Sequence, residues 1–231
     1  MSVGGPFTLE ASNLRKSART RAHLMDAAVE VFARDGFEAA SVNEIALLAD
    51  VANGTFYLHF KNKDDIAAHV VFGIAIRFAR QMDEAMTEID DAAARFCCAT
   101  RQFIEIGVEQ SNWGWVLIRS ASFAPELLTQ MGSYLRTDLE RGVRQGEFTI
   151  DIDRFIIDTI LSMTLSVLAA RLRGFAGEDA ASRLSELVLR MLGYPHAQAH
   201  AVAWSPITLK SFNTEILIRE PKPRLVKNSA A

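Results

Sequence analysis

The chain has 231 residues, 49% of them hydrophobic, and a net charge of −3 at pH 7. This length and apolar content exclude a disordered chain and are sufficient to bury a core, either in one large domain or in a small domain joined to a larger one. The charge is unevenly distributed. Residues 11–21 carry four basic side chains and residues 51–63 carry two lysines, with no acidic side chain in either segment, whereas residues 64–203 hold 13 basic and 19 acidic side chains. We therefore expect an acidic body with small basic ends, a distribution that would orient the protein toward DNA by those ends.

Two segments bear on localisation. Residues 1–14 lack the basic start and the continuous apolar run of a secretory signal, which predicts a cytoplasmic protein. Residues 155–172 form a long apolar stretch, but they include Asp158 and Arg171, whose charges are costly in lipid. We expect a buried interface helix there and no membrane span. The adjacent Cys97 and Cys98 lack metal-ligand spacing and predict core thiols in a reducing compartment.

Helical periodicity dominates after residue 18, and the predicted fold class is all-α. Leu24, Ala28, Val31 and Phe32 recur at helical spacing and predict one buried stripe on a first helix. Because glycine favours the left-handed backbone that ends many helices, we expect this helix to stop at Gly36.

A short second helix is predicted to begin at Ser41, which forms a capping-box pattern with Glu44. In that motif the serine side chain accepts from the Glu44 amide, and the Glu44 carboxylate accepts from the Ser41 amide. A tight turn at residues 50–52 separates this helix from a third one, in which Phe56 and Phe60 lie four residues apart. Two short helices joined by about three residues form a helix-turn-helix.

The sequence SVNEIA at residues 41–46, followed by ADVANGTFYLHFKNK at residues 49–63, resembles the signature of the tetracycline-repressor (TetR) family of transcription regulators. The resemblance covers about residues 18–68, and the remainder matches only in helix count, length and order. It implies a helical body that binds a small ligand and forms a homodimer. Two positions depart from the family pattern: Asp50 stands where glycine is usual, and Ala52 where a capping Ser or Thr is usual. Either Ala52 or Asn53 then caps the third helix.

The residue types of the third helix support DNA recognition independently. Phe56 and Phe60 supply an apolar inner face, while Asn53 and Thr55 can hydrogen-bond or pack against base edges in a major groove. The resemblance implies that Tyr57, His59 and Lys61 contact DNA phosphates. Arg19 or Arg21, before the first helix, would add phosphate contacts at the flanks. The predicted DNA-binding residues are Arg19, Arg21, Ser41, Ala52, Asn53, Gly54, Thr55, Tyr57, His59, Lys61 and Lys63.

The body is predicted to begin with a longer helix capped by Asn62, followed by helices at about residues 91–110, 114–123, 125–145, 154–173 and 178–192. The predicted domains are a flexible N-terminal arm (1–14), the helix-turn-helix domain (15–63), a helical effector-binding and dimerisation domain (64–193) and a C-terminal tail of uncertain structure (194–231).

Large apolar side chains concentrate in the middle of the body, where the family holds its ligand cavity. They favour an apolar or aromatic effector, with plain core packing as the alternative for each residue. The predicted ligand-binding residues are Phe103, Trp113, Trp115, Phe123, Met131 and Tyr134.

Apolar stripes on the last two body helices predict a two-fold four-helix bundle with a second copy, and burial within one subunit is the alternative. The predicted dimer-interface residues are Ile156, Ile160, Met163, Val167, Leu184, Leu187, Val188 and Met191.

The sequence thus predicts a DNA-binding regulator, most simply a homodimeric repressor released from a palindromic operator by a small-molecule effector. The alternative is a helical ligand-binding protein or an enzyme without specific DNA recognition. We expect no enzyme activity, since no Ser/His/Asp arrangement, metal triad or phosphate-binding glycine loop is evident. We likewise expect no cofactor, no metal and no membrane partner. His196 and His200 have the spacing of a helical metal pair, but no Cys or acidic residue lies nearby in sequence.

Overall fold

The computed structural model describes residues 5, 7–8, 11, 15–121, 125–207 and 209, and the side chains of residues 125–131 lie outside this description. Every bounded regular element within these residues is a helix, which confirms the all-α prediction. The helices are α1 Lys16–Ala39, α2 Val42–Leu48, α3 Asn53–Tyr57, α4 Lys63–Ala85, α5 Ala92–Glu109, α6 Ser111–Ala121, α7 Pro125–Gln145, α8 Arg154–Leu172, α9 Ala180–Met191 and α10 His196–Ala203.

Helices α1 to α3 form a small N-terminal unit around one apolar core. The predicted stripe on α1 is buried, with Leu24, Ala28 and Val31 inaccessible to solvent. Helix α1 extends beyond its predicted end to Ala39, although Gly36 interrupts it with non-helical backbone at φ 76° and ψ 163°. Glycine has no Cβ to clash at positive φ, so the chain changes direction there before a last short turn.

Helix α4 joins the N-terminal unit to the body. Its start is capped as predicted, because the Asn62 side chain accepts a hydrogen bond from the amide of Asp65 (2.8 Å). Helix α4 packs against α1 and also against α6 and α7 of the body. Its first half buries Ile66 and Val70, and its second half buries Phe78, whose ring contacts Phe103 of α5 edge-on at 5.5 Å. The two halves of α4 therefore belong to different parts of the molecule.

The body consists of α4 to α10. Helices α7 and α8 begin where the sequence predicts, whereas α6 begins three residues earlier and α9 two residues later than expected. Helix α10 lies in the segment assigned as a tail and packs against α5 and α9. Arg101 of α5 fixes the chain beyond α10 by donating to the carbonyl of Ser205 (2.6 Å). The alternating segment at residues 214–219 is outside the described residues.

Residues 1–14, predicted as a flexible arm, are described at four positions. Asp26 of α1 accepts hydrogen bonds from the backbone amides of Phe7 (2.9 Å) and Thr8 (2.8 Å). The ring of Phe7 lies against Gly73 of α4, where an added Cβ would be 2.5 Å from it.

In the part of the chain that the structure describes, one helix, α8, is long and apolar enough to cross a membrane. It packs against α5, α6, α7 and α9, which buries one side of it inside the body.

Candidate nucleic-acid interface and cavity

The turn between α2 and α3 is closed by backbone hydrogen bonds. The amide of Asp50 donates to the carbonyl of Leu47 (3.1 Å), and the amide of Val51 donates to the carbonyl of Ala46 (3.0 Å). Asp50 has a φ of 55°, and among the described residues it is the one non-glycine residue with positive φ. Aspartate tolerates this left-handed backbone better than most residues, so the turn forms with Asp50 in place of glycine.

The predicted capping box at the start of α2 is confirmed. The Ser41 hydroxyl oxygen accepts from the amide of Glu44 (3.2 Å), and the Glu44 carboxylate accepts from the amide of Ser41 (3.1 Å). The same carboxylate also accepts from the Ser41 hydroxyl (2.8 Å). The Ser41 side chain is thus engaged in starting α2, and a phosphate contact from its hydroxyl would have to replace the bond to Glu44.

Helix α3 has an apolar inner face and an open outer face. Phe56 and Phe60, the latter three residues beyond the end of α3, are buried with ring centroids 5.8 Å apart, so they anchor α3 on the core. Asn53 and Tyr57 are exposed, and a Cβ added to Gly54 would meet nothing within 4 Å. Thr55 and His59 are half-buried, and exposed Leu58 follows α3. The outer surface is therefore free to enter a groove, and nothing within the chain requires glycine at position 54.

The start of α3 settles which residue occupies the capping position. Ala52 is the N-cap residue, and its backbone is extended but its side chain supplies no cap hydrogen bond. Asn53 lies inside α3, and its amide group donates to the side-chain oxygen of Asn43 on α2. Asn43 therefore orients the first exposed side chain of α3, a role that sequence reasoning missed because the two residues are ten positions apart.

The basic residues predicted to meet phosphates divide into two groups. Arg19 and Lys61 have exposed side chains. The Lys63 ammonium instead donates to three carbonyls at the end of α1, those of Phe37 (2.8 Å), Glu38 (3.1 Å) and Ala40 (3.0 Å). Because those carbonyls occupy its donors, Lys63 stabilises the N-terminal unit from within.

Arg21 is also engaged internally. Its guanidinium carbon lies 4.8 Å from the centroid of the Phe60 ring, and burial lowers the pKa of Arg21, an effect that Asp65 partly opposes. Arg21 thus packs beside the anchor of α3, with part of its side chain withdrawn from solvent.

The body contains a cavity of about 240 Å³ bounded by α4, α5, α7 and α8. Its apolar walls include three phenylalanine rings, from Phe78, Phe96 and Phe103, together with aliphatic side chains such as Met82 and Ile160. The polar lining residues are Asp83, Thr100, Tyr134, Thr137, Asp138 and Thr164.

A buried arginine connects the two carboxylates of this lining. Arg95 is 1% exposed; its Nε donates to Asp138 Oδ1 (2.7 Å), its Nη2 donates to Asp83 Oδ1, and its Nη1 donates to the carbonyl of Met86 (2.6 Å). Burial raises the pKa of Asp138, although its hydrogen bond to Arg95 acts in the opposite direction. Sequence reasoning missed this cluster, because its members come from three helices and are far apart along the chain.

The residues predicted to bind ligand are only partly brought together. Phe103 and Tyr134 line the cavity. Trp113 is buried behind Phe103, with ring centroids 5.6 Å apart, whereas Trp115 is exposed on the other side of α6 beneath Arg173. Phe123 and the side chain of Met131 lie outside the described residues.

The residues predicted to form a dimer interface fall on two faces of α8 and α9. Four of them are buried within the subunit: Ile156, Ile160, Leu184 and Val188. Leu187 is 61% exposed and Met191 is 36% exposed, while Met163 and Val167 are half-buried. Phe155, 72% exposed at the start of α8, adds an apolar side chain that the sequence reasoning did not include. Part of each stripe is thus core and part remains on the surface.

The histidine pair at positions 196 and 200 does not form part of a wider metal-ligand group. His200 Nδ1 lies 3.0 Å from the Glu186 carboxylate, which also accepts from the Trp204 indole (2.8 Å). Within the described ranges, no cluster of three or more His, Cys, Asp or Glu side chains is arranged to hold a metal ion.

Comparison with known proteins accounts for both parts of the molecule. A sequence model described as "Bacterial regulatory proteins, tetR family" matches residues 24–70, and one described as "Tetracyclin repressor-like, C-terminal domain" matches residues 91–205. The chain belongs to the TetR family. The first TetR match covers most of α1, all of α2 and α3 and the start of α4, and the second covers α5 to α10.

Individual relatives match parts of the chain. The chain is 28% identical over 158 residues to the HTH-type transcriptional repressor KstR2 of Rhodococcus jostii, a match that covers 62% of this chain and 77% of the relative. It is 43% identical over 65 residues to the fatty acid metabolism regulator protein of Bacillus subtilis, covering 28% of this chain and 34% of that protein. The chain thus aligns with about a third of the length of this second relative.

Solved structures of other proteins resemble most of the described fold. The structure of RolR in complex with resorcinol is 25% identical, with a TM-score of 0.75 over 85% of this chain and 98% of that one. FadR from Bacillus subtilis in complex with stearoyl-CoA is 26% identical, with a TM-score of 0.55 over 74% of this chain and 96% of that one. With these relatives, the fold identifies the chain as a ligand-responsive, DNA-binding transcription regulator.

Proposed function

We propose that the protein is a homodimeric repressor in the cytoplasm, and that a small apolar or aromatic effector in the cavity releases it from a palindromic operator. The observation that carries this proposal is the continuity of α4. Its first half packs with α1 in the DNA-binding domain, and Phe78 and Met82 in its second half line the cavity. A ligand that moves the second half of α4 therefore moves the DNA-binding domain with it.

The surface of the DNA-binding domain supports recognition of duplex DNA. Asn53, Gly54 and Tyr57 are exposed on α3, and the basic side chains of Arg19 on α1 and Lys61 after α3 are also exposed. Side chains on such a helix read base edges in the major groove, while basic residues around it neutralise phosphates. In a dimer the two α3 helices would enter successive major grooves about 34 Å apart, which requires a palindromic site.

The outer face of α8 and α9 supports the homodimer. Phe155 and Leu187 are large apolar side chains left on the surface, and Met163, Val167 and Met191 are partly exposed on the same two helices. A two-fold copy of this face would bury them in a four-helix bundle.

The effector is proposed to be small because the cavity is small. Effector occupancy would favour a conformation in which the spacing of the two α3 helices no longer fits the operator, with a coupling free energy of about 1 to 3 kcal/mol. A resident cofactor has no part in this mechanism.

The proposal is tested by selecting randomised duplex DNA with the purified protein. The selected sequence is then titrated with the wild type, a Tyr57→Ala/Lys61→Ala variant and an Arg144→Ala control, which removes an exposed charge from the body. We expect a palindromic sequence whose affinity falls steeply with salt, is lost in the double variant and is kept in the control. No enriched sequence, with the same weak affinity in all three proteins, would favour the alternative of a helical ligand-binding protein or enzyme without specific DNA recognition.

The dimer is tested separately by sedimentation. Leu187→Asp places a charge on the proposed interface, and Val143→Asp places one on an exposed apolar position of α7. We expect only the first variant to dissociate into monomers, and a monomeric wild type would contradict the proposed assembly.

A further inference from the structure

The size of the cavity and the charges around it bear on which ligands it can hold. An apolar cavity of about 150 Å³ is sufficient for benzene, so a volume of about 240 Å³ accommodates one substituted aromatic ring. The walls supply ring faces and edges from Phe78, Phe96 and Phe103, which pack well against a planar aromatic guest.

The polar lining offers no free cation. Among the described residues that border the cavity there is no Lys, Arg or His, and the nearby Arg95 is engaged by Asp83, Asp138 and the Met86 carbonyl. A ligand carboxylate or phosphate would lose its hydration without gaining an opposite charge, which is costly in an apolar site. Anionic ligands are therefore disfavoured.

The same cluster also disfavours a cationic ligand. The Asp83 side chain is 57% exposed, so water screens its charge, whereas the Asp138 side chain is 14% exposed. Arg95 and Arg141 both act on the Asp138 carboxylate, so the two arginines balance the charges of Asp83 and Asp138, and a cation beside the buried Arg95–Asp138 pair would face the Arg95 charge. The buried pair thus favours a neutral ligand.

The buried pair leaves an acceptor for a ligand hydrogen bond. Arg95 donates to Oδ1 of Asp138, and within the described residues no side chain or amide donates to Oδ2. The hydrogen bond from Arg95 favours the charged form of Asp138, which accepts hydrogen bonds at both oxygens, and a bond from a neutral donor to a charged acceptor is stronger than one between neutral groups.

We propose that the cavity binds a small neutral phenol, whose ring packs among Phe78, Phe96 and Phe103 and whose hydroxyl donates to Oδ2 of Asp138. The inference rests on the proposed function in taking this cavity as the effector site. It adds the chemical class of the effector and assigns Asp138, held in place by Arg95, as the specificity-determining residue.

The test measures direct binding to the full-length protein by calorimetry, without DNA. The probes share one ring and one ethyl group: 4-ethylphenol, 4-ethylbenzoate, 4-ethylbenzylamine and ethylbenzene. We expect 4-ethylphenol to bind about tenfold or more tightly than each of the other three. Equal or tighter binding of the benzoate or the amine, or no binding of any probe, would overturn the inference.

A matched pair of variants assigns the hydroxyl contact. Asp138→Asn keeps the shape of the side chain but removes its charge, and Glu140→Gln makes the same change at a half-exposed position on the same helix. Ethylbenzene binding within twofold of the wild type shows that the cavity of Asp138→Asn is intact. We expect Asp138→Asn to lose the preference for 4-ethylphenol over ethylbenzene and Glu140→Gln to keep it. An Asp138→Asn protein that keeps the preference would overturn the assignment.

Operator binding separates this inference from the proposed function. If 4-ethylphenol binds selectively but leaves operator affinity unchanged, the phenol site stands and the proposed release mechanism fails. If no probe binds while the protein still recognises a palindromic operator, the phenol inference fails and DNA recognition stands.

Discussion

Arg119 of α6 lies over the ring of Phe37 at the end of α1, with its guanidinium carbon 4.8 Å from the ring centroid. The same guanidinium pairs with Glu38 of α1 (3.1 Å) and with Asp64 of α4 (3.3 Å). One side chain of α6 thus contacts the DNA-binding domain at two points and the start of the connecting helix α4 at a third.

We expect Arg119→Ala to weaken communication between the domains. Exposed ion pairs contribute about 1 kcal/mol or less to stability, so folding and effector affinity should change little. The ratio of operator affinities measured without and with effector should fall by about threefold or more, because the coupling free energy depends on contacts that join the two domains. Operator titrations with Arg144→Ala as control measure this ratio. An unchanged ratio in Arg119→Ala would mean that α4 carries the coupling without α6.

Substitutions of Lys61 and Lys63 are predicted to have different effects, although the two lysines are only two residues apart. Lys63→Met removes the donor to three carbonyls at the end of α1 and should lower the free energy of unfolding by about 1 to 3 kcal/mol. Lys61→Met removes an exposed charge and should leave stability within about 0.5 kcal/mol while it weakens operator binding and lowers the salt slope by about one. Urea unfolding and salt-dependent DNA titration on both variants test the contrast. Equal stability of the two variants would contradict the capping role of Lys63.

A side-chain cap at position 52 should stabilise the protein. Ala52 already has the extended backbone of an N-cap residue, but it has no oxygen to accept from the α3 amides. Ala52→Thr should therefore raise the free energy of unfolding by about 1 kcal/mol relative to Ala52→Val, which has nearly the same shape without the hydroxyl. Thermal or urea unfolding of the pair isolates the cap, and equal stability would show that the α3 amides are already satisfied in solution.

Gly54 is predicted to matter for DNA and not for folding. A Cβ at this position would meet nothing within 4 Å, and alanine is a better helix former than glycine. Gly54→Ala should thus fold with equal or greater stability, yet bind the operator about tenfold more weakly, because the added methyl lies on the face that approaches DNA. A variant with full operator affinity would place the closest backbone approach elsewhere on α3.

Local patterns predicted the DNA-binding domain well. The capping box at Ser41, the turn at Asp50 and the anchoring pair Phe56 and Phe60 all depend on residues within four positions of one another, and each is found as expected. The hydrogen bonds of the Lys63 ammonium could not be predicted in this way, because its three carbonyl partners lie 23 to 26 residues earlier in the chain.

The body was harder to predict because the cavity depends on which way each helix faces. Trp113 and Trp115 are two residues apart on α6, so they point to different sides of the helix, and only Trp113 is buried. This spacing was visible in the sequence and could have indicated that the two tryptophans lie on different sides of the helix. The pairing of Arg95 with Asp83 and Asp138 could not be deduced, since it requires the relative placement of α4, α5 and α7.

Helix α4 both lines the cavity and packs against the DNA-binding domain, and this limits how the protein can acquire a new effector. Phe78 and Met82 shape the cavity from the same helix whose first half packs against α1 of the DNA-binding domain, whereas Ile160 and Leu165 shape it from α8, which packs mainly against α5, α6, α7 and α9. Substitutions on α8 can change ligand preference and leave the operator response unchanged. Substitutions on α4 alter ligand preference and operator response together. Laboratory evolution of a biosensor from this scaffold should therefore begin by diversifying the α8 wall.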